Sequence, residues 1–179
     1  MTAVDGRHFD ERMAELDRAV SEVIAIAEAV PERWTRGRAG KWTAGQHAAH
    51  LVISQDATAE AFERRLSMVL DGTIPPVPRR GPIEWLWVSW LVARGTMPGG
   101  IRTPRPFEPA TSPDLDSTLD RLRRGVERHR AVGHILTAAQ RDRLWIRNPF
   151  LQRWHYRLVE MVHVHAVHAR HHLALMRRA

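Results

Sequence analysis

Apolar residues recur along this chain at alternating spacings of four and three, the period of an α-helix with one face turned inward. Phe9, Met13, Leu16, Val20, Val23 and Ala27 form the first such stripe and predict a helix from Arg7 to Val30, stopped by Pro31. The link Glu32 to Lys41 is rich in Arg and Gly and reads as a loop. Thr43, with Gln46 three residues on, makes the pattern of a capping box and predicts a second helix from Thr43 to Leu70, ended at Asp71-Gly72. One face of it carries His47, His50, Ser54, Ala57 and Ala61. Pro75, Pro76 and Pro78 then forbid regular structure.

A short tryptophan-rich helix with Trp85, Trp87 and Trp90 is predicted after Gly81-Pro82, reaching to about Arg94. The tryptophans read as core and pocket wall, with Trp42 packing as a hydrophobic staple at the start of the second helix. Thr96 to Pro113 holds Pro98, Pro104, Pro106, Pro109 and Pro113 and reads as a long loop, a candidate lid or pocket wall. Ser112-Pro113 is in the favoured order to open the next helix, whose stripe is Leu115, Leu119, Leu122, Val126 and His129. Asn148-Pro149 is expected to open the last helix in the same way, and no strand-like alternation of useful length is evident. The pattern predicts an all-α fold in a single domain over residues 1–179. Its architecture is an antiparallel four-helix bundle with a short extra helix and a long proline-rich loop.

Composition narrows the chemistry. The 179 residues include 0 cysteines, which removes disulfides, thiolate metal sites and cysteine nucleophiles together. Any metal must rest on histidine and carboxylate. The net charge of +7 invites a nucleic-acid partner, but Lys41 is the one lysine among 27 basic residues, and the arginines are dispersed. Even the densest run, Arg121 to Arg130, is interleaved with Glu127, and a solvated helix face explains it better than a phosphate contact. The N-terminus has no apolar core of the signal-peptide kind. The apolar stretch Ile83 to Ala93 is far below the roughly 20 residues that span a bilayer. The expectation is a cytoplasmic protein with no membrane and no nucleic-acid partner.

The 11 histidines are concentrated, with His163, His165, His168, His171 and His172 all in the last helix. At 100° per residue, Met161, His165, His168, His172 and Leu175 share one face, which continues the apolar stripe of Leu158 and Met176. His163 points the other way and is expected in solvent, while His171 sits at the margin. Several imidazoles on a core-facing stripe must each find partners or bear the desolvation cost of buried polar groups, and a metal ion satisfies several at once. His168 and His172 form the one i, i+4 histidine pair in the chain, the spacing that puts two rings one turn apart. His50, mid-stripe on the second helix, is the natural third donor. His47 and His165 are each one turn from a candidate ligand, able to orient it or to replace it.

At these residues the chain resembles the DinB/YfiT-like superfamily of metalloenzymes. Trp42-Thr43-Ala44-Gly45-Gln46-His47-Ala48-Ala49-His50-Leu51 is similar to that family's helix start, and His168-Ala169-Arg170-His171-His172-Leu173 to its C-terminal His-x-x-x-His. The order of segments agrees over nearly the whole chain. The resemblance implies a DinB-like bundle with a divalent metal on His50, His168 and His172. Relatives often carry Gln three residues after the final histidine, where this chain has Leu175, so the outer support of the site is expected to be drier or to come from His47 or His165.

Three imidazoles leave at least one coordination position open, the mark of a catalytic rather than a closed structural site. Zinc or nickel suits such a set best, with iron or manganese next. The ion would act on water in a small hydrolase or on the sulfur of a low-molecular-weight thiol in an S-transferase, and the resemblance favours the thiol. Arg102 and Arg105 in the proline-rich loop are then expected to meet the carboxylates of that cosubstrate. Asp56, Glu60 and Glu160 are acid or base candidates by helix position, and none is assigned the role. The alternative is a non-catalytic metal-binding or dimerising bundle with a stress-related role. A homodimer is expected on the grounds that exposed tryptophan-rich helices seek partners.

Overall fold

A computed structural model describes residues 6–29, 31–37, 39–88, 94, 95, 97, 103–149 and 152–178. The four long helices run over Gly6–Ala29 (α1), Ala44–Leu70 (α2), Leu115–Ile135 (α4) and Leu158–Met176 (α6). Two short ones lie at Pro82–Leu86 (α3) and Ala138–Arg143 (α5), and two short strands at Trp145–Arg147 (β1) and His155–Arg157 (β2). The predicted all-α class holds. The apolar stripes of α1 and α4 are buried where the period placed them, from Phe9 to Ala27 and from Leu119 to Val126. Among the described residues no helix is long and apolar enough to cross a membrane.

Cross-helix contacts fix the direction of each helix. Arg12 meets His163 near the start of both α1 and α6, and Glu22 meets Arg177 near their ends, so these two run parallel. Asp17 pairs with Arg130, and Glu28 with Arg123, so α1 and α4 are antiparallel. His47 meets His172 and Thr58 meets His165, so α2 and α6 are antiparallel as well. Asp56 pairs with Arg121, and Thr58 with His129, which sets α2 and α4 parallel. The order is therefore up, down, down, up. The long connection 71–114 makes this possible by carrying the chain back along the bundle before α4 begins.

The helix starts show which local rules won. Thr43 caps α2 as predicted, its hydroxyl accepting the Gln46 N–H at 3.1 Å while the Gln46 side chain accepts the Thr43 N–H at 3.0 Å. Ser112-Pro113 does not open α4. Asp114 does, its carboxylate accepting the Ser117 N–H at 2.8 Å, while the Pro113 carbonyl is held by the Trp34 indole N–H at 2.6 Å. A second capping box, Thr137 with Gln140, starts α5.

Asn148-Pro149 does not open the last helix either. These residues follow β1 in a small antiparallel hairpin with the register Trp145↔Arg157, Ile146↔Tyr156 and Arg147↔His155. Each strand has three residues, too few for alternation to be read from the sequence, and the buried Trp145, Ile146 and Tyr156 hold the hairpin on the core. Helix α6 starts only at Leu158, with the Glu160 carboxylate accepting the Arg157 N–H at 2.9 Å.

Helix α3 departs from expectation in its burial. Glu84, not a tryptophan, is the inward residue, and its carboxylate accepts the His155 backbone N–H at 2.6 Å beside that ring's Nδ1 at 3.0 Å. Trp85 is 57% exposed and Ile83 74% exposed, whereas Trp34 and Trp145 are core as read. Trp90, with residues 89–93 of the predicted tryptophan-rich helix, falls outside the described residues.

Helix α4 packs tightly on α1 at Gly133, where an added Cβ would stand 1.9 Å from the buried Phe9 ring. Gly133→Ala is expected to destabilise the fold by about 1–3 kcal/mol through overpacking. A drop in the urea midpoint at unchanged m-value would show it, and an unchanged midpoint would refute the packing described.

Candidate metal centre

The capping box sets where α2 begins, and therefore where its first turns point. His47 is in the second turn, and His50 follows three residues later on the same side. Because α6 runs antiparallel to α2, its last turns pass the same end of the bundle. His50, His168 and His172 come together there, each offering a ring nitrogen within 4.8 Å of the others. The His168 and His172 Nε2 atoms are 2.9 Å apart. Ring centroids of His50 lie 5.0 Å from His168 and 4.9 Å from His172.

The surroundings orient these rings. His50 Nδ1 is 2.9 Å from the Phe107 carbonyl, which can only accept, so Nδ1 carries the proton and Nε2 carries the lone pair. Phe107 lies in a tight turn at Arg105–Phe107. This part of the proline-rich connection walls the site, and no sequence signal marked its carbonyl. On the other flank, His172 Nδ1 meets His47 Nδ1 at 2.9 Å. Trp42 covers the group, its ring 5.5 Å from His47, 5.1 Å from His50 and 6.3 Å from His172. Trp42 precedes the cap and His47 is the fourth helical residue, so the expected staple exists with a histidine as its partner.

Electrostatics favour neutral rings. Desolvation, with repulsion from His50 and His171, lowers His168 to about 3. Desolvation first, then His50 and His171, lowers His47 to about 4. His172 is held well below its ordinary value by burial and by the neighbouring histidines. Burial also lowers His50, with the Phe107 carbonyl opposing. The neutral imidazole is the form that binds a metal. Three neutral nitrogen donors from two helices, one tautomer already fixed, fit a divalent ion.

The remaining candidates fall elsewhere. His165 does not join the group. Its Nε2 lies 2.7 Å from the Thr58 hydroxyl, which also meets His129 Nε2 at 3.2 Å, and His129 Nδ1 faces the Gly125 carbonyl at 2.8 Å. Thr58 donates its single hydroxyl proton within its own helix, toward the Ser54 carbonyl at 3.1 Å and the Gln55 carbonyl at 3.0 Å, its oxygen accepts from His165, and His129 donates through Nδ1 to the Gly125 carbonyl. His163, expected in solvent, is 9% exposed, because α1 covers that face and brings Glu15 to 3.0 Å and Arg12 to 3.1 Å. Asp56 is paired with Arg121 and Arg128, Glu60 with Arg64, and Glu160 with Arg80. Arg105 is exposed two residues from the Phe107 carbonyl, and Arg102 lies outside the described residues.

A family model described as the DinB superfamily matches residues 15–176. The chain belongs to the DinB superfamily. No curated protein and no solved structure gives a match. The matched span includes all four long helices apart from the first turns of α1, and His50, His168 and His172 lie within it.

The buried pair away from this group sets a pH dependence. Burial lowers His129, and burial with repulsion from His129 and His168 lowers His165 well below its ordinary value. Both rings stay neutral in the folded chain where the unfolded chain takes up protons. Stability is therefore full above the free imidazole pKa and falls as pH drops below about 6.5, by up to about 1.4 kcal/mol per ring per pH unit. Urea melts of metal-free protein at pH 7.5 and 5.5 are expected to show the loss, with a shallower slope in His129→Phe. Equal midpoints would contradict neutral burial.

Proposed function

We propose that this DinB-superfamily chain is a divalent-metal-dependent enzyme with His50, His168 and His172 as its ligands. In this reading it transfers groups onto or from the sulfur of a low-molecular-weight thiol. The observation that carries the proposal is the convergence of three neutral imidazole nitrogens within 4.8 Å of one another. Histidine-only donors favour zinc or nickel, then iron or manganese, and three of them leave room for a small molecule. When bound, such an ion supplies Lewis acidity to a sulfur or to a water. The chain's own residues do the rest. The Phe107 carbonyl keeps the His50 lone pair turned inward, and Trp42 closes one side of the group against solvent. Arg105, exposed at the edge of the same turn, offers a guanidinium to a carboxylate of an anionic thiol.

The test is turnover of an electrophilic substrate by zinc- or nickel-loaded protein, with and without an added anionic thiol. Thiol-dependent turnover lost in a folded His50→Ala variant is expected. Arg105→Ala is expected to raise the KM for the thiol several-fold with the metal content unchanged. Turnover without thiol would move the assignment to a hydrolase, and an unchanged KM would remove Arg105.

The second reading is a non-catalytic, self-associating bundle, favoured by the exposed Ile83, Trp85 and Leu86 on α3. In that case chelation lowers the melting temperature, no turnover is found, and Trp85→Glu converts a dimer to a monomer in sedimentation.

A further inference from the structure

His47 lies beside the three proposed ligands without being one of them. Its Nδ1 faces His172 Nδ1 at 2.9 Å, while the opposite nitrogen of His172, Nε2, faces His168 Nε2 at 2.9 Å. His47 is therefore on the far side of His172 from the ligand group, touching one ligand through that ligand's outer nitrogen. A histidine ligand coordinates through one ring nitrogen and offers the other as a donor, and the group that accepts that proton fixes both tautomer and ring plane. For His50 the acceptor is a backbone carbonyl. For His172 the group facing Nδ1 is another imidazole, that of His47.

The ring of His47 is itself well held. It occupies the fourth position of α2, one turn before His50, with the Trp42 indole edge-on at 5.5 Å and the His172 ring at 5.1 Å. The capping box of Thr43 and Gln46 fixes the helix start that carries it. An imidazole accepts at one nitrogen only when the other carries its proton. A hydrogen bond between two Nδ1 atoms thus correlates the tautomers of both rings: with His172 donating, its Nε2 is left as a lone pair facing His168.

We propose that His47 is a positioning residue for the metal centre, accepting the Nδ1 proton of His172 and so holding its Nε2 lone pair toward the ion. This rests on the reading that His50, His168 and His172 bind a divalent metal. It assigns to the first turns of α2 two tasks: His50 supplies a ligand, and His47 orients one that belongs to the opposite helix.

The experiment measures zinc affinity by competition with a chromophoric chelator in wild type, His47→Leu, His47→Gln and His172→Ala. Circular dichroism of each metal-free protein confirms folding, and cobalt(II) spectra report coordination. In His47→Leu, zinc affinity is expected to fall about 10–100-fold, the usual cost of losing an outer partner. His47→Gln, whose amide oxygen can accept the same proton, is expected to restore part of that loss, with the cobalt(II) spectrum of wild type retained in both. Nitrogen-15 shifts of His172 should show Nδ1 protonated in zinc-loaded wild type. Affinity within twofold of wild type in His47→Leu would overturn the proposal. So would a loss as complete as in His172→Ala with a changed cobalt(II) spectrum, which would make His47 a ligand. Wild type that takes up no zinc would overturn the metal reading itself and this proposal with it.

Discussion

Everything at the functional end of this bundle follows from the antiparallel contact of α2 and α6, because both helices turn histidines rather than hydrocarbon toward that seam. A buried imidazole with no partner costs a few kcal/mol, and the seam contains several. It resolves them in two ways. Deep in the core, His165 and His129 both meet the Thr58 hydroxyl, which donates to carbonyls of its own helix, and His129 meets the Gly125 carbonyl. Toward the end, His50, His168 and His172 turn nitrogens toward one another. Without a cation, His168 and His172 share one proton between their Nε2 atoms at 2.9 Å, and burial disfavours protonating these rings further. The same desolvation that makes the arrangement costly keeps the rings in the form that ligates.

Topology brings the parts to one place. A simple up-down-up-down chain would need only short links, but here α2 and α4 run the same way. The connection between them therefore travels the length of the bundle. That detour brings the Arg105–Phe107 turn beside α2 and lets a backbone carbonyl orient His50. The small hairpin packs on the same core, with α3 tied to it by Glu84 on His155 and the chain before α3 tied to α6 by the Arg80 pairing with Glu160.

Much of this was legible in the sequence. The period of α1 and the capping box of α2 are strong local signals that depend on residues close in the chain, and both held. The i, i+4 pair His168/His172 and the mid-stripe His50 were readable because a helix converts spacing into direction. What was missed depends on partners distant in the chain. Asp114 took the cap that Ser112-Pro113 promised, since capping geometry and not residue order decides. Asn148-Pro149 turned into a hairpin because three-residue strands carry no period. His163 was placed in solvent because one helix was read alone, whereas α1 covers its other side. The Phe107 carbonyl had no side-chain signature at all, and the roles of His47 and His165 could be separated only by knowing which helix each ring faces.

The most direct test of the account is the metal content of the protein itself. Elemental analysis of untagged protein, purified without added metal and then offered zinc or nickel, should be run beside a folded His168→Ala/His172→Ala variant. The account predicts about one divalent ion per chain in the wild type and none in the variant. Wild type that neither carries nor takes up an ion, or a variant that binds as much, would contradict it and make the histidine seam a matter of packing alone.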